Sequence, residues 1–198
     1  MITIGLTGGI GTGKSLVSEI LETLGGQLVN ADLLGHQAYL PGTAGFDDVV
    51  RRFGKGVIGQ SGTIDRKLLG ELVFADSDNM SDLNAIVHPI ILGLIKKTVE
   101  DNLNNGVDVT VVEAAILVEA GWQDLFDEIW VVSSNHDVVV KRLQSRNGLS
   151  VQDAMSRIVS QMPQEDRICY ADEIIDNSGT VEELRNQVKK LWQKKCKS

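Results

Sequence analysis

The sequence predicts an α/β fold: a five-stranded parallel sheet with helices on both faces. Three observations predict it. Strand-like and helix-like runs alternate along the 198 residues, and strands separated by helices need crossover connections, which build a parallel sheet. A glycine-rich turn, Gly8–Gly13, separates the first strand-like run from an amphipathic segment. A long middle stretch has turn and helix signals but no sheet strand, so it reads as an insert.

The elements follow in order. Residues 2–7 (ITIGLT) read as the first strand. A helix starts at Lys14, with Leu16, Val17, Ile20, Leu21 and Leu24 on one face, and Gly25-Gly26 stops it. Residues 27–31 form a short second strand. The stretch 33–105 opens with turns at Pro41-Gly42 and between Gly54 and Gly62. A helix runs over Asp65–Phe74, and another runs up to His88. There Pro89 breaks the pattern and restarts it as a first helical residue, with a buried stripe of Ile91, Leu94, Ile95, Val99 and Leu103. Residues 107–112 and 128–132 are strands rich in β-branched residues, and Glu173–Ile175 is a short last strand. Residues 134–167 carry Lys141, Arg142, Arg146, Arg157 and Arg167 on two helices joined by a turn at Gly148. Ser150 and Asp153 form a capping box that opens the second of these helices. The final helix, 180–195, places Val181, Leu184, Val188, Leu191 and Trp192 on one side. Trp122, Trp130 and Trp192 read as packing residues. The expected organisation is a single domain over 1–198. Its core is 1–32, 106–133 and 168–198, with a helical lobe at 33–105 and a short cationic segment at 134–167.

Composition excludes several classes. Hydrophobic content of 42% and charged content of 23% are ordinary globular values. No apolar run approaches the ~20 residues of a membrane span, and the opening MITIGLTGG lacks the basic region of a signal peptide. Cys169 and Cys196 fit no zinc spacing. These features imply a reduced, cytoplasmic protein with no membrane partner. A net charge of −8 argues against nucleic-acid binding, which needs a basic face. The one basic cluster, Lys189, Lys190, Lys194, Lys195 and Lys197, reads as a solvated helix end whose cations complement the helix dipole.

One motif carries chemistry. Gly8-Gly9-Ile10-Gly11-Thr12-Gly13-Lys14-Ser15 satisfies G-x-x-x-x-G-K-[ST] in full, with a strand before it and a helix after it. The glycines let backbone N–H groups turn inward around a polyphosphate, and the helix N-terminus adds positive potential there. Gly11, Thr12, Gly13, Lys14, Ser15 and Leu16 are the expected nucleotide-binding residues. Lys14 is expected to reach the β- and γ-phosphates, and the Ser15 hydroxyl to ligate Mg²⁺. The rival dinucleotide fingerprint G-x-G-x-x-G fails, because its last position falls on Lys14 or Leu16. No Asn-Lys-x-Asp segment reads guanine, and Asp176-Asn-Ser-Gly179 follows the last strand, the wrong place for a GTPase switch loop.

A phosphoryl transferase also needs an acceptor site, a group to deprotonate the acceptor hydroxyl, and cations that close over the phosphoryl. The helical lobe is a candidate for the first and the cationic segment for the third. For the second, Asp32 lies at the carboxyl edge of the second strand, where such sheets place their ligands. On position alone it reads equally as a helix N-cap. Glu113, at the end of the third strand, is an alternative acid that either contacts substrate-side groups such as Mg²⁺-bound water or caps the following turn.

Here the residues resemble a family, the dephospho-coenzyme A kinases. Gly5-Leu-Thr-Gly-Gly-Ile-Gly-Thr-Gly-Lys-Ser15 is similar to the family's opening. Asn30-Ala-Asp32 resembles its D-A-D segment, with Asn in the first place, and Leu16 stands where the family usually has Thr. Pro41-Gly-Thr43, Gly62-Thr-Ile-Asp-Arg66, Val73-Phe74, Leu83-Asn-Ala85, His88-Pro89, Gln161, Arg167, Ala171-Asp172 and Ile175-Asp-Asn177 follow in family order. Leu34–Tyr39 and Ala114–Gln123 resemble most the kinase domain of the animal bifunctional coenzyme A synthase, although a stand-alone kinase is expected here. The resemblance implies a P-loop kinase with a helical acceptor-binding insert and a short lid. It implies transfer from ATP, with Mg²⁺, to the ribose 3′-hydroxyl of dephospho-coenzyme A. It further implies that Asp32 is the base, Arg142 the lid arginine and His88 an acceptor-site residue. Arg66, beside Lys67, suits the acceptor's pyrophosphate, and the apolar helices suit its pantetheine arm. The alternatives from other classes are a nucleoside monophosphate kinase and a non-catalytic nucleotide-binding regulator.

Overall fold

The computed structural model describes residues 1–195, so Cys196 and Lys197 lie outside the described residues. The five strands are β1 (Ile2–Thr7), β2 (Gln27–Asn30), β3 (Val109–Glu113), β4 (Glu128–Ser133) and β5 (Glu173–Asp176). They form one sheet, in the order β2-β3-β1-β4-β5, and all pairings are parallel. The first strand is therefore central. The chain leaves it through α1 (Lys14–Thr23) to the β2 edge, returns to β3, and then crosses to β4 on the other side. The connections diverge between β1 and β3, and the carboxyl ends of those two strands flank the crevice where sheets of this kind place ligands.

Burial explains why the strands hardly alternate. Ile4 and Leu6 of β1, Val109 and Val111 of β3, and Trp130 and Val132 of β4 pack against Val17, Ile20 and Leu21 of α1. The same cluster takes in Leu184, Val188 and Trp192 of α9 (Val181–Lys195). On the opposite face Gly5 makes room, since a Cβ there would collide with Leu117 and Phe126. All three tryptophans are buried, whereas Val181, expected on the buried side of α9, is half exposed because the helix has only just begun there. The tail is not simply solvated. Lys195 bonds to Glu128 at 2.7 Å and Glu173 at 3.2 Å, at the start of β4 and β5.

The described residues fall into two compact units. One comprises Met1–Asn30 and the chain from Thr98 onward, and the other is Ala31–Lys97. The second unit contains α2 (Ala31–Gln37), α3 (Ala44–Phe53), α4 (Arg66–Phe74) and most of α5 (Ser77–Asn104). Val49, Val57, Ile64, Leu69 and Val73 form its core, and its one β interaction is an isolated Ile58–Ile64 bridge. Asp65 caps α4, its carboxylate accepting from the Lys67 and Leu68 amides.

One expectation fails here. Pro89 does not restart a helix but lies inside the continuous α5. Proline lacks one N–H and crowds the preceding turn, yet a helix of 28 residues retains enough bonds on either side to tolerate it. The expected stripe is correspondingly shorter. Ile91 and Ile95 are buried with Val87, but Leu103 is exposed, since by then the helix is in its last turn.

The cationic segment folds as α6 (His136–Asn147), α7 (Val151–Val159) and α8 (Gln164–Ile168). Gly148, in the left-handed conformation, ends α6. The Ser150 hydroxyl caps α7 by accepting from the Asp153 amide and donating to its carboxylate.

Candidate active site

The loop after β1 bends through Gly11 and Gly13, both with positive φ, a conformation that costs glycine least. Four of its carbonyls find donors. Gly9 O accepts from the Thr12 hydroxyl at 2.8 Å, and Gly11 O from Arg142 at 3.3 Å. Thr12 O accepts from Arg142 at 3.2 Å and from Asn177 at 2.7 Å, and Gly13 O from the first turn of α1. The Ile10 amide donates to Gln161 Oε1 at 2.7 Å. The start of α1 presents amides and positive helix-end potential to an anion.

Lys14 and Glu113 meet at 2.6 Å, their side chains 12% and 6% exposed. Strand order causes this: β3 lies directly beside β1, and Leu6 is in register with Glu113. Ser18, one turn beyond Lys14 and buried, donates to the other carboxylate oxygen at 2.7 Å. The Ser15 hydroxyl is 3.4 Å from Glu113 Oε1. Burial pushes the Glu113 carboxyl up, but bonds from Lys14, Ser18 and Ser15 and the Lys14 charge together hold it below its ordinary value. Lys14 and Ser15 border a cleft of about 560 Å³, lined by the loop together with Arg142, Arg146, Arg157 and Gln161.

The other expected residues are placed as follows. Arg142 projects from α6 to the loop, where its guanidinium also donates to Asn177 O at 2.8 Å. Asp32 is exposed in the first turn of α2. That helix starts at Ala31, not Leu33, so Asp32 is not the residue preceding it. In the same unit, Arg66 is exposed at the start of α4. His88 is half-buried in α5, and burial lowers its pKa. Among the described residues no cluster of three or more His, Cys, Asp or Glu could hold a metal, and no helix is long and apolar enough to cross a membrane.

Sequence reasoning missed two features. Ser18 was hidden in an apolar stripe, although its position four residues after Lys14 puts it on the same helix face. Arg167, expected among the cations of the 134–167 segment, is instead 2% exposed. It pairs with Glu119 beneath Gly9, whose Cβ would come within 3.3 Å of the guanidinium.

Comparisons with known proteins identify the family and the fold. The family model described as dephospho-CoA kinase matches residues 2–183. A dephospho-CoA kinase of Geobacter sulfurreducens is 44% identical over 195 residues, covering 98% of this chain and 99% of that one. A crystal structure of a Thermus thermophilus protein superposes with a TM-score of 0.80 at 28% identity, covering 98% and 97% of the two chains. The dephospho-CoA kinase of Campylobacter jejuni superposes with a TM-score of 0.75 at 27% identity, with the same coverage. A parallel sheet with a complete phosphate loop, and relatives matched along nearly their whole length, lead to one conclusion: the chain belongs to the dephospho-CoA kinase family.

Proposed function

We propose that the chain transfers the γ-phosphoryl group of ATP to the ribose 3′-hydroxyl of dephospho-coenzyme A, giving coenzyme A and ADP in the cytoplasm as the last step of coenzyme A synthesis. The observation that carries this reading is the complete phosphate loop with Lys14 poised against Glu113 at the switch point of the sheet, in a chain of this family. The loop from Gly11 to Leu16 binds the polyphosphate through its amides. Lys14 exchanges part of its contact with Glu113 for the β- and γ-phosphate oxygens.

The oxygen donors suit Mg²⁺, a hard cation that keeps several waters and takes few protein ligands. The Ser15 hydroxyl is exposed beside the Glu113 carboxylate, so Ser15 would hold the ion directly and Glu113 would orient its water. Held there, the ion would supply positive charge to offset that of the phosphoryl oxygens. Asp32 orients the 3′-hydroxyl and accepts its proton. Among the described residues its carboxylate makes no hydrogen bond or ion pair that would occupy it. Arg142 supplies positive charge near the phosphates, and the 134–167 segment acts as a lid that excludes water. His88 and Arg66 belong to the acceptor-binding lobe, 33–105, where the cation of Arg66 suits a pyrophosphate.

ADP release, measured with and without dephospho-coenzyme A, tests the reading. Release should depend on the acceptor, and truncating the acceptor to adenosine should lower kcat/KM by at least about tenfold, because remote binding energy positions the reacting hydroxyl. Equal kcat/KM for adenosine, or a preference for a nucleoside monophosphate, would overturn the substrate assignment.

A further inference from the structure

The phosphate loop contains a weak point: the peptide between Thr12 and Gly13. A peptide is planar, with its C=O and N–H pointing in opposite directions. Thr12 O is turned toward Asn177, so Gly13 N–H points the opposite way. Glycine tolerates both signs of φ, so nothing in residue 13 itself prevents the peptide from flipping and presenting a carbonyl oxygen to the phosphates.

Two side chains oppose this flip: Arg142, donating to Thr12 O at 3.2 Å, and, at shorter range, one from the far edge of the sheet. Asn177, immediately after β5, is 3% exposed and donates from Nδ2 to Thr12 O at 2.7 Å across 165 residues of sequence. A carbonyl can only accept, so the amide nitrogen must be the atom facing it. Asn177 is itself fixed on three sides. Its backbone amide donates to Ser133 O at 2.9 Å, and its backbone carbonyl accepts from the Ser134 hydroxyl at 2.9 Å and from Arg142 at 2.8 Å. The approach to Gly13 is so close that a Cβ at position 13 would collide with Asn177 Nδ2. The glycine is thus required both by its φ of 93° and by the clamp lying against it.

We propose that Asn177 is a positioning residue for phosphoryl transfer: its side chain locks the Thr12–Gly13 peptide in the orientation that offers Gly13 N–H to the nucleotide's phosphates. This rests on the reading that the phosphates occupy the loop, but assigns a role to a side chain that touches neither substrate. The expected signature is selective. Binding of phosphate groups should suffer, and binding of the nucleoside should not.

The test uses inorganic tripolyphosphate as the probe, with the whole chain and with Asn177→Leu, which keeps the side chain's bulk without its donor, and Asn177→Ala. In the wild-type protein, tripolyphosphate should compete with ATP, and the Gly13 amide resonance should move downfield when it binds. In the variants the tripolyphosphate Ki should rise at least about tenfold, adenosine binding should hold within about twofold, and the Gly13 shift should shrink. An unchanged Ki in a folded variant would overturn the assignment of Asn177 while leaving the phosphate site standing. Equal weakening of adenosine and tripolyphosphate would also overturn it, as a merely structural effect. Absence of the downfield shift in the wild-type protein would overturn it whether or not the variants fold. Failure of tripolyphosphate to compete at all would overturn the phosphate-site reading itself.

Discussion

Lys14 and Glu113 show how one residue pair connects sequence to chemistry. Each was legible separately, Lys14 from the complete motif and Glu113 from its place at a strand end. Their contact was not, because it depends on which strands are neighbours, and the pattern of strands and helices leaves that order open. Ser18 was illegible for a different reason: a hydroxyl in an apolar stripe has no periodicity of its own, and only the carboxylate opposite explains it. The loop's outer partners, Asn177 and Gln161, lie far along the chain, and their resemblance to family positions said nothing of what they touch. At this scale the account predicts that Lys14→Ala lowers turnover by at least ~10²-fold, the loss typical of one preorganised charge-stabilising group. Glu113 then loses its cationic partner but keeps Ser18, so the folded chain should survive, as circular dichroism would check. Near-normal turnover in that variant would contradict the role of the loop.

The helices and strands were the most legible level, since burial on both faces of the sheet and helical spacing of apolar residues leave strong signals. The exceptions were α2, α3 and α8, which the sequence did not delimit, and α5. Proline at a helix start and proline inside a long helix give the same local sequence, and only the packing of Val87, Ile91 and Ile95 along one continuous element decides between them. His88 stands at that point. Burial places its folded pKa below the ordinary 6.5, so the folded state resists protonation more than the unfolded state does. The neutral histidine is fully accommodated above that value, and stability is lost as pH falls from about 6.5 toward the lower folded value. His88→Asn should therefore lose less thermal stability than the wild-type chain between pH 7.5 and pH 5.5, with the carboxylates common to both cancelling in the comparison. An identical loss in the two proteins would show that His88 does not titrate differently on folding.

At the scale of the whole molecule, the α/β class and the five parallel strands were readable from the alternation of elements, and the family from motifs spread over most of the chain. The described residues divide into Ala31–Lys97 and the remainder; a helical insert was readable as a stretch without sheet strands, but its bounds depend on which segments share a core. The division matters for function because Lys14 and Asp32 belong to different units, so the geometry of neither unit alone carries the role of Asp32. Asp32→Asn keeps the shape of the side chain and removes its basicity. A base acts in the chemical step, so its loss lowers kcat without removing ground-state binding. The most direct measurement is steady-state ADP release by wild-type and Asp32→Asn protein at saturating dephospho-coenzyme A, with MgATP varied. The account predicts that kcat falls by at least ~10²-fold, at the lower end of what general-base catalysis contributes, while the KM for ATP changes little. A collapse of ATP binding with kcat preserved at saturation would contradict it, and would make Asp32 a metal-binding or structural residue.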